Sequence, residues 1–221
     1  MQKLRENLQN VQKKIIQAAL RANRDPSEIS LVAVTKTVPS SFIEKLMELG
    51  VKNIGENRVQ DARMKKDELA GHDVSWHLIG HLQRNKVKTA LETFDFFHSV
   101  DTVALAKELS EKSSKSIPVL LEVNVSGEES KQGFAPEILE KSIENILSFP
   151  NLCVQGFMTM APLTENQDVC RDCFRKLREL KDYFHFKHLS MGMSQDYEIA
   201  IEEGATMVRV GSALFEGCSI L

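Results

Sequence analysis

Apolar positions along the chain fall into two rhythms. Over the first twenty residues Leu4, Leu8, Val11, Ile15 and Ala18 recur every three or four positions, which predicts an amphipathic helix. Asp25-Pro26 marks its end region. From Leu31 onward, short apolar runs alternate with helical segments. The runs are LVAVT (31–35), KNIGE (52–56), WHLIG (76–80), FFHSV (96–100), PVLLEVNV (118–125), CVQGFMTM (153–160), KHLSMG (187–192) and MVRVG (207–211). They are mostly continuous rather than alternating, as expected of strands buried on both faces. The clearest helices between them are SSFIEKLMELG, TVALAKELSEKS, PEILEKSIENILSF, NQDVCRDCFRKLRELKDYF and SQDYEIAIEEG. Gly50 and Gly204 stand where C-caps belong, and Asp101, Asn124 and Ser194 where short polar side chains cap helix starts.

Strands that alternate with helices build βαβ units and a parallel sheet. Eight strands close a (β/α)8 barrel of the TIM type, here with an extra N-terminal helix. An open doubly wound sheet is the alternative, but it usually carries a Gly-rich first turn, and VTKTVPSS after the first strand has no glycine. No linker or composition break divides the chain, so residues 1–221 read as one α/β domain.

Composition removes several function classes. With 42% hydrophobic and 27% charged residues the chain is an ordinary globular protein, and its net charge of −3 gives no general attraction to nucleic acid or an anionic membrane. MQKLRENLQNVQKK has no apolar core of a secretory signal, no run approaches a membrane span, and the scattered cysteines suit reduced thiols, so a cytoplasmic location is expected. Cys170 and Cys173 form a lone C-x-x-C on a helical pattern, a poor zinc site. His77 and His81 are four apart on a strand exit rather than one helix face, so no metal site is expected. His72, His98, His185 and His188 read as structural or surface residues.

Lys36 follows LVAVT directly, at the strand end where barrel sites face. A partly buried lysine there loses some of its preference for the ammonium form and becomes a nucleophile for a carbonyl. A lysine snorkelling at a strand end is the plainer reading. Barrels often bind phosphate with the loops after strands seven and eight, here Ser190–Ser194 and Gly211–Phe215. Their glycines allow close backbone approach and their serines add hydroxyl donors, although each also reads as an ordinary turn. Arg209 interrupts an apolar strand. It serves either a ring nitrogen at the barrel mouth or a structural salt bridge with Glu56 or Glu202.

Taken in order, AVTKT (33–37), GENRVQ (55–60), WHLIGHLQRNK (76–86), SVD (99–101), LEVNVSGEESKQGF (121–134), GFMTMAP (156–162), LSMGMSQDYEIAIEEG (189–204) and VRVGSALFEG (208–217) closely resemble the pyridoxal phosphate homeostasis protein family, which is related to the barrel domain of alanine racemase. The resemblance implies pyridoxal 5'-phosphate (PLP) as cofactor, an internal aldimine on Lys36, and Ser194, Arg209, Gly211 and Ser212 around the cofactor, with phosphate contacts from Ser194, Gly211 and Ser212 gripping it across the barrel. It also implies Met191 and Gly192 in the same loop and Asn57 and His81 as lining residues. Arg58 stands where many relatives carry an aromatic residue, and the motifs leave open whether Arg58 or Arg209 faces the ring.

A racemase needs a base on each face of the substrate Cα. In alanine racemase the second base is a tyrosine from a β domain, which this chain is expected to lack; its only tyrosines are Tyr183 and Tyr197. An arginine on the ring nitrogen also weakens the electron sink. The expectation is a monomeric, non-catalytic PLP carrier that acts in vitamin B6 homeostasis and, through it, in amino- and keto-acid balance, with PLP-dependent apoenzymes as recipients. The alternatives are a PLP-dependent racemase or lyase of low activity, a cofactor-free Schiff-base aldolase, and an interaction protein with an inert Lys36.

Overall fold

The structure is a computed structural model that describes residues 1–128 and 131–219. Glu129 and Ser130 of the 121–134 motif, and Ile220 and Leu221, lie outside the described residues. Eight strands pair in parallel and in chain order: β1 (Ser30–Val34), β2 (Asn53–Glu56), β3 (Ser75–Leu78), β4 (Phe96–Val100), β5 (Ile117–Glu122), β6 (Leu152–Met158), β7 (His188–Ser190) and β8 (Met207–Val210). β8 pairs back onto β1, with Leu31 opposite Val208 and Ala33 opposite Val210, so the sheet closes as a barrel and the open-sheet alternative is excluded. Most observed strands stop one to three residues short of the apolar runs. The residues left over, such as Thr35, Ile79-Gly80 and Gly211, turn out of the barrel and form its mouth.

Alternation within each strand sorts its side chains. One set packs outward in the main core, as Ala33, Ile54, Trp76, Phe97, Leu121, Phe157, Leu189 and Val208 do. The other set fills the barrel interior, where Val32, Leu120, Met158 and Met207 cluster with Phe96. Helices cover the outer layer: α1 (Gln2–Arg21), α2 (Ser40–Glu48), α3 (Val59–Glu68), α4 (Val87–Thr93), α5 (Val103–Lys112), α6 (Pro136–Leu147), α7 (Gln167–Tyr183) and α8 (Tyr197–Glu202), with a last short turn, α9 (Ser212–Phe215). The apolar pattern singled out neither α3 nor α4. VQDARMKKDE is strongly polar and VKTALET is only two turns long, so packing against the barrel rather than periodicity defines them.

α1 buries the predicted stripe of Leu4, Leu8, Val11, Ile15 and Ala18. It ends at Arg21, where Asn23 takes a left-handed φ of 53°, and Asp25 caps the separate short turn Pro26–Glu28. Asn7 donates to the carbonyls of Leu214 and Glu216 at 3.0 and 2.8 Å, which fastens α1 to α9. Gly50 and Gly204 close α2 and α8 with φ of 90° and 102°. Three capping expectations are corrected. Thr102, not Asp101, caps α5 through the Leu105 N–H, and Asp196 rather than Ser194 occupies the cap position of α8. Asn124 instead accepts from the Gly127 N–H within the loop after β5. No helix among the described residues is long and apolar enough to cross a membrane.

Candidate functional site

The C-terminal ends of the strands surround a cavity of about 870 Å³. Every strand exit but that of β4 delivers residues to it. Lys36 comes after β1, Asn57 after β2, His81 after β3 and Glu122 from the end of β5. Ser194 follows β7, and Arg209, Gly211 and Ser212 lie in or after β8. A segment after β6, from Met160 to Gln167, forms a further wall. Seven of the nine sequence-derived residues therefore share one cavity. Met191 and Gly192 do not line it. Met191 is fully buried in the outer core, and its N–H donates to the Met207 carbonyl. Gly192 has a φ of +91°, and a Cβ there would come within 2.5 Å of the Ala200 Cβ, so this glycine serves the packing of α8 rather than a ligand.

Three further expectations are corrected by geometry. Lys36 is exposed rather than partly buried, because it lies one residue beyond buried Thr35 in the turn that leaves the barrel. Glu56 is unavailable to Arg209. It faces outward, where its Oε1 accepts from Thr35 Oγ1 and from Lys65 Nζ, each at 2.7 Å. Glu202 likewise pairs with Arg21 and Arg171 at the surface. The last two loops are also neighbours of Lys36 rather than facing it across the barrel, since closure seats β8 beside β1.

Arg209 is the arginine on the cavity wall; Arg58 is exposed at the start of α3. The Arg209 guanidinium donates to Ser190 Oγ at 2.7 Å and to the Thr159 carbonyl at 2.9 Å. Burial lowers its pKa to about 10, which still leaves a cation at neutral pH. Ser194 Oγ accepts from the N–H groups of Gly211 at 3.3 Å and Ala213 at 3.2 Å. The Asp196 carboxylate folds the same loop by accepting from the Met193 N–H at 2.6 Å. Gly211 is a glycine for steric reasons, since a Cβ there would sit 3.2 Å from both the Cβ and the carbonyl oxygen of Val34. An amine, a hydroxyl beside convergent backbone N–H groups, and a buried cation thus open on one space. That set of groups fits an aldehyde that carries a phosphate and a ring acceptor.

Several residues escaped the sequence reading. Glu122 is buried in the cavity wall, and burial together with the charge of Asp101 pushes its carboxyl up to about 7. Asp101 Oδ2 lies 3.0 Å from His81 Nδ1, within hydrogen-bonding distance. Beneath the cavity, His77 and His98 lie inside the barrel with Nδ1 of the first 2.8 Å from Nε2 of the second, and His98 Nδ1 also contacts Ser190 Oγ at 2.8 Å. Every second residue of the strands carried this signal: Asn53, His77, His98, Glu122, Ser190 and Arg209 are polar positions among apolar ones. His77 belongs to this interior set and His81 to the mouth, so the two do not converge. Among the described residues no three potential metal ligands gather. Cys170 and Cys173 are helix residues of α7, as expected, with thiols pushed up by burial, Cys173 to about 11. Cys170 also touches the cavity. Neither tyrosine lines it: Tyr183 is exposed on α7 and Tyr197 is buried in α8.

The family model for the N-terminal domain of alanine racemase matches residues 1–218. A protein of Aquifex aeolicus named pyridoxal phosphate homeostasis protein is 44% identical over 219 residues, covering 95% of this chain and 96% of that one. Its namesake in Pseudomonas aeruginosa is 42% identical over 220 residues, covering 97% and 96%. Among solved structures, PipY of Synechococcus elongatus with PLP bound superposes with a TM-score of 0.82 at 33% identity, covering 96% of this chain and 99% of that one.

Proposed function

The chain belongs to the pyridoxal phosphate homeostasis protein family, and from that membership we propose that it binds PLP covalently, as a Schiff base on Lys36, and serves intracellular PLP balance rather than a dedicated reaction. One observation carries the residue assignment: Lys36 opens onto the same cavity as Ser194, Arg209, Gly211 and Ser212. The phosphate is held by the Ser194 hydroxyl, the backbone around Gly211 and the Ser212 hydroxyl. Arg209, which keeps its proton at neutral pH, donates to the ring nitrogen. Asn57 and His81 line the mouth. When bound, PLP supplies an electrophilic carbon that exchanges between amines; the protein's part is to hold the phosphate and ring while leaving Lys36 exposed to competing amines. That exposure suits a carrier which passes its cargo to PLP-dependent apoenzymes as a monomer, and through them influences amino- and keto-acid balance.

The test is the absorbance spectrum of PLP-loaded protein before and after borohydride, followed by peptide mapping. A yellow protein whose reduced adduct lies on Lys36, with the colour largely lost in Lys36→Ala, is expected. An adduct on a different lysine would overturn the assignment.

One observation favours a second reading, a racemase or lyase of low activity. The Glu122 carboxyl, pushed up to about 7, is an acid–base group within the cavity. This reading expects loss of Cα-deuterium from an added amino acid, abolished in Glu122→Gln. The carrier reading expects no exchange above free PLP.

A further inference from the structure

The barrel interior below the cavity holds a continuous chain of hydrogen bonds. Arg209 donates to Ser190 Oγ at 2.7 Å, Ser190 Oγ lies 2.8 Å from His98 Nδ1, His98 Nε2 lies 2.8 Å from His77 Nδ1, and His77 Nε2 lies 3.2 Å from Asn53 Oδ1. It crosses from β8 through β7, β4 and β3 to β2. Four of its members, Ser190, His77, His98 and Arg209, are buried almost completely, and His77 stacks on Phe96 with the rings 11° from parallel.

We propose that Asn53, His77, His98 and Ser190 are positioning residues that form a one-way proton-donor relay, fixing the Arg209 guanidinium as a permanent donor at the cavity wall. The direction follows from donor counting. A guanidinium offers only donors, so Ser190 Oγ must accept from it. The Ser190 hydroxyl proton then needs an acceptor, and His98 Nδ1 is its one other partner among the described residues. A neutral His98 that accepts at Nδ1 carries its proton at Nε2 and donates to His77 Nδ1. His77 in turn carries its proton at Nε2 and donates to Asn53 Oδ1. Every group is then satisfied. The reverse direction would leave a fully buried hydroxyl proton without an acceptor and would require Asn53 to present its amide nitrogen, and an unmet buried donor is costly.

The relay works only while both imidazoles are neutral, because a second proton on either ring would set two donors face to face. Burial favours this state: it lowers the His77 pKa to about 4 against the small opposing pull of Asp95. His98, which faces His77, Arg209 and His188, is pushed down by burial and by all three. What the guanidinium meets in the cavity rests on the PLP reading above; the relay itself does not.

The test uses the full-length protein without PLP. Nitrogen-15 imidazole spectra across about pH 5.5–8.5 should show His77 and His98 neutral throughout, both with the proton on Nε2. An Nδ1–H form of either ring, or titration of either within that range, would overturn the relay. Asn53→Leu removes the terminal acceptor and should produce an Nδ1–H population at His77, whereas Asn53→Asp, which retains an acceptor, should keep Nε2–H on both rings. If Asn53→Leu does not fold, the parent spectra and Asn53→Asp still decide. With PLP added, Asn53→Leu should bind about tenfold more weakly than Asn53→Asp, while borohydride still traps the adduct on Lys36. Equal affinities with normal trapping would refute the relay's role, whereas trapping elsewhere in the parent would refute the PLP assignment and leave the tautomers as they stand.

Discussion

Glu122 shows how one side chain can couple the cavity to pH. Its carboxyl is buried at the end of β5, and its pKa rises from the ordinary 4.5 to about 7. The fold therefore favours the protonated form. The stability that this confers is complete below about pH 4.5 and is lost as pH rises through about 7. Glutamine carries no such equilibrium. Glu122→Gln should thus gain stability over the parent between about pH 5 and 8, with a ceiling on the order of 3 kcal/mol. Urea unfolding of the PLP-free protein at both pH values measures it; a gap that does not change with pH would refute the raised carboxyl. His77 and His98 act with the opposite sign. Burial depresses both pKa values, so their contribution is present above about pH 6.5 and falls as the solution is acidified, that of His77 being lost as pH drops through about 4.

At the scale of elements, the contact between β8 and β1 controls the site. Gly211 lets the loop after β8 lie against Val34, two residues before Lys36. In Gly211→Ala the new methyl would crowd the Val34 carbonyl at 3.2 Å, a contact that the strand relieves only by moving. We expect PLP affinity to fall about tenfold, with a stability cost of about 1–3 kcal/mol. A PLP titration followed at the visible band reads the affinity, and a value within twofold of the parent would show that the strand end has room to yield. Behind the same strand, Lys65 from α3 donates to the Thr35 carbonyl at 2.8 Å and to Glu56, which holds the backbone just ahead of Lys36. α3 is polar in sequence, yet it delivers a lysine that, with Glu56, fastens this turn from outside.

For the whole molecule, the site is assembled by barrel closure. Residues near position 36 and near positions 194–212 meet because the first and last strands pair, so a ligand that bridges them ties the two ends of the chain together. PLP should accordingly raise the thermal midpoint. At a hundredfold excess over its dissociation constant the gain is about 2.7 kcal/mol, or roughly 5–10 °C for a chain of this size. Pyridoxal, which lacks the phosphate, should give a smaller shift at equal concentration, and Lys36→Ala should give a reduced one with PLP. Equal shifts for PLP and pyridoxal in a thermal scan would argue against a phosphate grip by the last two loops.

The chain's own pattern determined the order of elements, the eight-strand count and the amphipathic first helix, because short continuous apolar runs and the 3.6-residue period are local properties of the chain. Its motifs also brought Lys36, Ser194, Arg209, Gly211 and Ser212 into consideration. Tertiary structure decided the rest. Whether Met191 faces a ligand or the core, whether Glu56 reaches Arg209, and whether Lys36 is sheltered depend on which side of the barrel wall each residue takes, and register and closure set that side. His77, His98 and Ser190 are far apart in sequence and ordinary when read singly. Only a closed barrel, with its alternate side chains forced into a narrow buried interior, brings their nitrogen and oxygen atoms within hydrogen-bonding distance.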